Sequence, residues 1–181
     1  MAWTAPMTAI AGSVFTAAQF NTFIRDNLAE TAPAKATTPG AHFAVSDTNQ
    51  ITERIPAEAF NATSDTTTAT SFGALAGSSG PSVSVATGVA ALVSVTADLV
   101  CDTNAQSARA TFEVTGASTV AAADTRAIRN IRESLTNNAL FSGVFLMTGL
   151  TPGTNVFNMV YRTSGASTST FANRRITVVP F

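Results

Sequence analysis

Very few side chains in this sequence are equipped for chemistry. His42 is the only histidine and Cys101 the only cysteine among 181 residues. A serine–histidine–carboxylate triad would have to use His42, and no G-x-S-x-G elbow stands anywhere in the chain. Zinc needs several histidine or cysteine ligands at short spacings, and none lies near His42. Cys101 ends the run Ala97-Asp98-Leu99-Val100-Cys101, a setting that suits a buried structural thiol better than a nucleophile. A single cysteine also excludes an intramolecular disulfide framework.

Paired carboxylates are the remaining route to catalysis, because two of them flanking a glycosidic bond can hydrolyse it. The candidates are Asp98, Asp102, Glu113, Asp124 and Glu133. Several sit in turns or close to arginines, where a solvated or salt-bridged carboxylate is the default. Asp47-Thr48-Asn49 and Asp102-Thr103-Asn104 read as turn caps, since a calcium loop needs a denser array of oxygens. The glycines match neither a phosphate-binding loop nor a dinucleotide turn. The expectation is a non-enzymatic protein with no cofactor and no metal.

Charge narrows the partners. The net charge is -1 and the isoelectric point about 5.7, and no basic stripe is present to attract nucleic acid or anionic membrane. Charged residues make up 12% of the chain, against about 25% in an ordinary soluble protein. Spread over the roughly 8,000 Å² that a compact chain of this mass exposes, that is a sparse coat. Either Ser, Thr and Asn cover the surface, or part of it is hidden against other subunits. No apolar run approaches the roughly 20 residues needed to span a bilayer. Met1-Ala2-Trp3-Thr4-Ala5-Pro6 lacks a basic leader region, so assembly in a cytoplasm is expected and the Asn61-Ala62-Thr63 glycosylation match is read as chance. Twelve Phe against one Trp and one Tyr fit poorly with a sugar-stacking surface, which favours Trp and Tyr.

The elements that hold these residues fall into two unlike parts. Residues 1–14 read as an arm with apolar anchors, Trp3 foremost. Thr16 is a suitable N-cap with Gln19 three positions on, a capping box. Phe20, Phe23, Ile24 and Leu28 then define one apolar helix face at 3–4 spacing, and Phe15 is placed to staple onto Phe20. A helix of about fifteen residues is marginal alone in water, so this face must pack on the β-body or on the same helix in other subunits. Residues 32–40 read as a linker, followed by a hairpin built from 42–45 and 51–56.

Beyond residue 62 the texture is Ser/Thr/Ala/Val-rich and alternates with period two, most cleanly in Ser82-Val83-Ser84-Val85. Strands are expected near 67–74, 82–87, 90–100, 107–116, 124–132, 139–148, 154–163 and 175–180, with turn signals between them, including one at 136–138. The expected fold is mainly β: a jelly-roll-like antiparallel β-sandwich over 63–181, preceded by a region of arm, one short helix and small hairpin over 1–62. Arg126, Arg129 and Arg132 recur at helical spacing but lie among β-type neighbours, so strand is preferred there. With Arg162, Arg174 and Arg175 they hold most of the positive charge, and their guanidinium forks suit subunit contacts or a solvated face.

Trp3-Thr4-Ala5-Pro6, then Phe15-Thr16-Ala17-Ala18-Gln19-Phe20-Asn21-Thr22-Phe23-Ile24-Arg25-Asp26-Asn27-Leu28, resembles the start of many small virion proteins of tailed bacteriophages, which read as a Trp arm and then a V-T-A-A-x-x-N-x-x-I-R-D-N-L helix. The segment from Thr38-Pro39-Gly40-Ala41-His42-Phe43 through Arg54-Ile55 is similar to the short β segment that follows in such proteins. Gly80 to Val85 and Phe171 to Pro180 resemble parts of their β-rich C-terminal domain. The resemblance implies a virion structural protein of the head-fibre, decoration or minor tail type, assembled as a homotrimer. It would attach to major capsid or tail proteins through Trp3, Phe15, Phe20, Phe23, Ile24 and Leu28 and display its β-domain outward. The alternative it leaves open is a tail protein whose β-domain binds a host-surface receptor or glycan. No long heptads are present, which favours a compact appendage over a slender shaft.

Overall fold

The computed structural model describes residues 4–8, 10–133 and 139–181. The chain divides into two units, Met1–Ile55 with Phe181, and Pro56–Pro180.

In the first unit the helix begins as the sequence dictates. Thr16 caps α1 (Ala17–Phe20): its hydroxyl accepts the Gln19 N–H at 3.2 Å, and the Thr16 N–H donates to the Gln19 side chain at 2.9 Å. The Phe15 and Phe20 rings meet edge to face, 6.1 Å apart. A π-helical stretch, Asn21–Arg25, then leads into α2 (Asp26–Ala29). Such a stretch widens the turn and rotates the residues that follow it.

The expected linker at 32–40 contains one more helical turn, α3 (Ala32–Lys35), with Pro33 in its first turn, where a missing N–H does no harm. Lys35 ties this turn to the hairpin of β1 (His42–Asp47) and β2 (Gln50–Arg54): its ammonium pairs with Glu30 and donates to the Ile51 carbonyl at 3.0 Å. Asn49 takes a positive φ of 57° at the hairpin turn, a conformation Asn tolerates well.

The second unit is a jelly-roll-like antiparallel β-sandwich. One sheet runs β5 (Ser82–Thr87), β10 (Gly153–Thr163), β7 (Ser107–Gly116), β8 (Ile128–Ile131). The other runs β3 (Ala57–Asn61), β11 (Ser169–Pro180), β6 (Ala90–Cys101), β9 (Ala139–Thr148), with β4 (Asp65–Thr67) also on β11. The chain changes sheet from β4 to β5, β5 to β6, β6 to β7, β8 to β9, β9 to β10 and β10 to β11, so most neighbours within a sheet are distant in sequence.

Strict alternation builds the core. Val83 and Val85 on β5 and the odd-numbered residues 91–101 on β6 are buried, while the residues between them face outward. Phe112, Phe157 and Phe171 fill the interior between the sheets. Gly143 matters where β8 and β9 come together. A side chain there would approach Ile128 Cγ2 to 2.8 Å, so its absence lets Ile128 fill that corner of the sandwich.

The structure departs from the sequence expectations in particular places. Of the strand expected over 67–74 only Thr67 belongs to one, at the end of β4, and Gly73 makes an isolated bridge to Tyr161. Residues 57–61, read as the tail of the N-terminal part, form β3 on the edge of the sandwich. The strand expected over 124–132 starts as a 3-10 turn, Asp124–Arg126, before β8. The final strand begins at Ser169, six residues before the expected start at 175. The turn at 136–138 and Trp3 lie outside the described residues.

Candidate functional site

On the first unit, Phe15, Phe20, Ile24 and Leu28 are 45%, 48%, 39% and 61% exposed, whereas Phe23 is half-buried. Five large apolar side chains on one short helix thus leave four in water. The sequence did not single out Asn27, the one buried residue of α2. Its side-chain oxygen accepts the Thr4 N–H, and its amide donates to the Thr4 carbonyl, both at 2.9 Å, and to the Phe23 carbonyl at 3.1 Å. Asn27 therefore pairs with the backbone of the arm as a neighbouring strand would. The signal was available: an Asn beside Leu28 at the end of an apolar helix face has backbone bonding as its usual role.

Glu53 fixes the approach to the hairpin. Its carboxylate accepts the Thr37 N–H at 2.5 Å, the Thr38 N–H at 3.0 Å and the Thr37 hydroxyl at 2.7 Å. That threefold donation, led by the Thr37 hydroxyl, lowers its pKa from an ordinary 4.5 to about 2. His42 stands at the start of β1, its ring 6.3 Å from that of Phe181.

The carboxylates of the sandwich are engaged structurally. Asp124 bridges two guanidinium groups, Arg109 at 2.9 Å and Arg162 at 2.5 Å. Desolvation opposes its charge, but the Arg162 and Arg109 hydrogen bonds outweigh that and hold the carboxyl below the usual range. Asp98 accepts from the Asn173 amide at 2.6 Å. Asp102 accepts from the Thr103 hydroxyl at 2.7 Å and the Thr168 N–H at 2.9 Å, which lowers its pKa. Glu113 is half-buried and lines an open groove of about 370 Å³ with Gly80, Ser82, Asn158 and Met159. It is the one carboxylate among the residues lining that groove. Glu133 follows β8 and is exposed. Among the described residues, no three His, Cys, Asp or Glu side chains converge to hold a metal ion, and no helix is long and apolar enough to cross a membrane.

The three arginines singled out by spacing do not act as a set. Arg126 donates to the Ala121 carbonyl at 2.5 Å and lies over the Phe112 ring. Arg132 donates to the Asp102 carbonyl. Arg129 is exposed on β8, opposite Arg109. Arg174, grouped by the sequence with the arginines that suit a subunit contact or a solvated face, is instead fully buried on β11. One of its nitrogens donates to the Thr63 carbonyl at 2.9 Å and the Ser78 hydroxyl at 2.7 Å, and Ser78 in turn donates to Asp65 at 3.2 Å. Adjacent residues on a strand face opposite ways, so Arg174-Arg175 in an alternating strand already implied that one of the pair points inward.

The two faces of the sandwich differ chemically. The outer side of β5 and β10 presents Ser82, Ser84, Thr154 and Asn158, and that of β7 and β8 adds Arg109, Glu113 and Arg129. The outer side of β9 presents Leu140, Val144 and Leu146, each at least 60% exposed. Compared with protein-family models and with curated proteins, the chain matches none.

Proposed function

We propose that this chain is a non-enzymatic structural protein of a tailed-phage particle. In this reading it is a homotrimeric capsid decoration or head-fibre-like appendage, anchored to a major capsid or tail protein through its first unit and displaying the sandwich outward. The observation that carries the reading is the Phe-rich stripe of the N-terminal helix. Phe15, Phe20, Ile24 and Leu28 stay in water in the single chain, although such a short helix needs a packing partner. The sequence resemblance of 3–28 to virion-protein N-termini and the low content of charged residues support the same reading. The engagement of most sandwich carboxylates by arginines, amides and hydroxyls fits a scaffold better than a hydrolase.

The test is particle binding. Chain lacking residues 1–30 is incubated with particles stripped of the protein, and occupancy is compared with that of the full chain. Loss of binding supports the anchor, and full occupancy by the truncated chain overturns it. Copy number per purified particle then separates decoration (dozens or more) from a tail tip (a handful).

The second reading, a tail protein that binds a host receptor or glycan, draws on the groove beside Glu113, whose Ser82 and Asn158 lining offers hydroxyl and amide groups to a sugar. A glycan array probed with the full chain tests it, and an array without a hit removes it.

A further inference from the structure

We infer that the outer face of the β3-β11-β6-β9 sheet is the surface on which copies of this chain pack against one another. The inference rests on the oligomeric reading above and assigns its interface to the sandwich.

The register places the side chains of this face in rows. Leu146, Leu92 and Val179 form one row across β9, β6 and β11, and Val144, Ser94 and Thr177 form the next. Ser142, Thr96, Arg175 and Phe60 follow, with the Ser142 and Thr96 hydroxyls bonded to each other at 2.9 Å. Leu140, Val144 and Leu146 are 63%, 60% and 63% exposed, on an edge strand ten residues long. Soluble proteins avoid long apolar edge strands or cover them.

Size and charge identify the occupant. Three strands of ten to twelve residues and one of five, about 4.8 Å apart and rising about 3.3 Å per residue, present roughly 600 Å². A stable interface buries about 800 Å² per partner, so a second copy of the same face is of the right extent. Arg175 pairs with Glu58 and lies over Phe60, while Asp98 is bonded to the neutral Asn173 amide and so leaves the face a single net negative charge. One charge at the end of a face that otherwise carries apolar and hydroxyl side chains gives little to steer an oppositely charged partner and little to repel a copy of itself. The opposite sheet presents mainly Ser, Thr, Asn and Arg outward, with Val156 and Ile131 among them, and is the more suited of the two to water.

The experiment measures the mass of the full chain by light scattering on a sizing column. Wild type is expected at a multiple of 18.6 kDa, and the double variant V144K/L146K at the mass of one chain with an unchanged far-UV spectrum. S84K, on the opposite sheet, is expected to keep the multimer. A multimeric wild type whose double variant stays multimeric overturns the assignment of this face and leaves the particle role standing. A wild type of single-chain mass overturns both this face and the trimer. If V144K/L146K does not fold, hydrogen exchange on wild type decides. Amides of 139–148 whose protection rises with protein concentration support the face, and concentration-independent protection overturns it.

Discussion

The Arg174 guanidinium lies over the Tyr161 ring, 5.5 Å from its centroid, and neither residue is more than 1% exposed. Among the described residues no carboxylate pairs with Arg174 directly, and a link to one runs through the Ser78 hydroxyl to Asp65. Among the described residues, two of its nitrogens and the Tyr161 hydroxyl are buried with no hydrogen bond of good geometry. Burial pushes the Tyr161 phenol up to about 12, against the pull of the Arg174 charge.

A desolvated cation with so few partners is a net cost that the tyrosine ring only partly offsets. Arg174→Met keeps the volume and removes the charge, so it is expected to raise stability by about 1–2 kcal/mol in urea unfolding. Arg174→Ala removes the volume as well and is expected to lose about 3 kcal/mol. A methionine variant weaker than wild type would show that the guanidinium is better satisfied than these contacts indicate.

Glu53 sets a pH dependence in the first unit. Its folded pKa of about 2 lies below its ordinary 4.5, so the folded state binds this proton more weakly than the unfolded one. The stabilisation is fully present above the unfolded value and fades as pH falls from about 5 towards 2. Amide shifts of Thr37 and Thr38 followed by NMR are expected to titrate near 2 and to lose that transition in Glu53→Gln. A midpoint near 4.5 would mean the three hydrogen bonds do not persist in solution.

How much of this was legible beforehand depended on whether a residue's environment was local. Ser82 to Val85 and the run 90–101 carry their own alternation, and both became strands with valines inside. The capping box at Thr16 and Gln19 and the Phe15–Phe20 staple are local in the same way. β3 was hidden because Ala57-Glu58-Ala59-Phe60-Asn61 has weak strand propensity; pairing with β11, more than a hundred residues later, makes it a strand. Asn173, with a positive φ of 47°, sits where the β11–β6 register shifts, and this breaks the simple count inward from Phe171 to Arg174. The exposed helix stripe was readable from spacing, whereas the apolar outer side of β9 required knowing which neighbour lies across each position.

Asn155 pins three loops from one buried position. Its oxygen accepts the Ser118 N–H at 2.7 Å, and its amide donates to the Thr87 hydroxyl at 2.7 Å and the Thr151 carbonyl at 3.1 Å. Asn155→Leu leaves the buried Ser118 N–H and the Thr151 carbonyl without this partner. A loss of about 2–4 kcal/mol is expected by chemical denaturation. A loss below 1 kcal/mol would mean that water replaces the amide.

Phe157 stands beside Phe112 in the interior, ring centroids 6.1 Å apart, and is fully buried. Phe157→Ala is expected to cost about 3–5 kcal/mol, while Phe157→Leu, which refills much of the space, is expected to cost clearly less. Thermal melts of both variants check the order. Equal losses would show that refilling the volume recovers nothing and that the ring contacts themselves carry the contribution.

Cys101 closes β6 with its sulfur shielded, the sole thiol in the sequence. A thiol-reactive dye therefore has nothing to modify until the strand parts from its neighbours. Labelling speed becomes an intrinsic clock for the opening of the sandwich, read without any engineered probe, and a cysteine placed elsewhere on the surface would take up the dye alone.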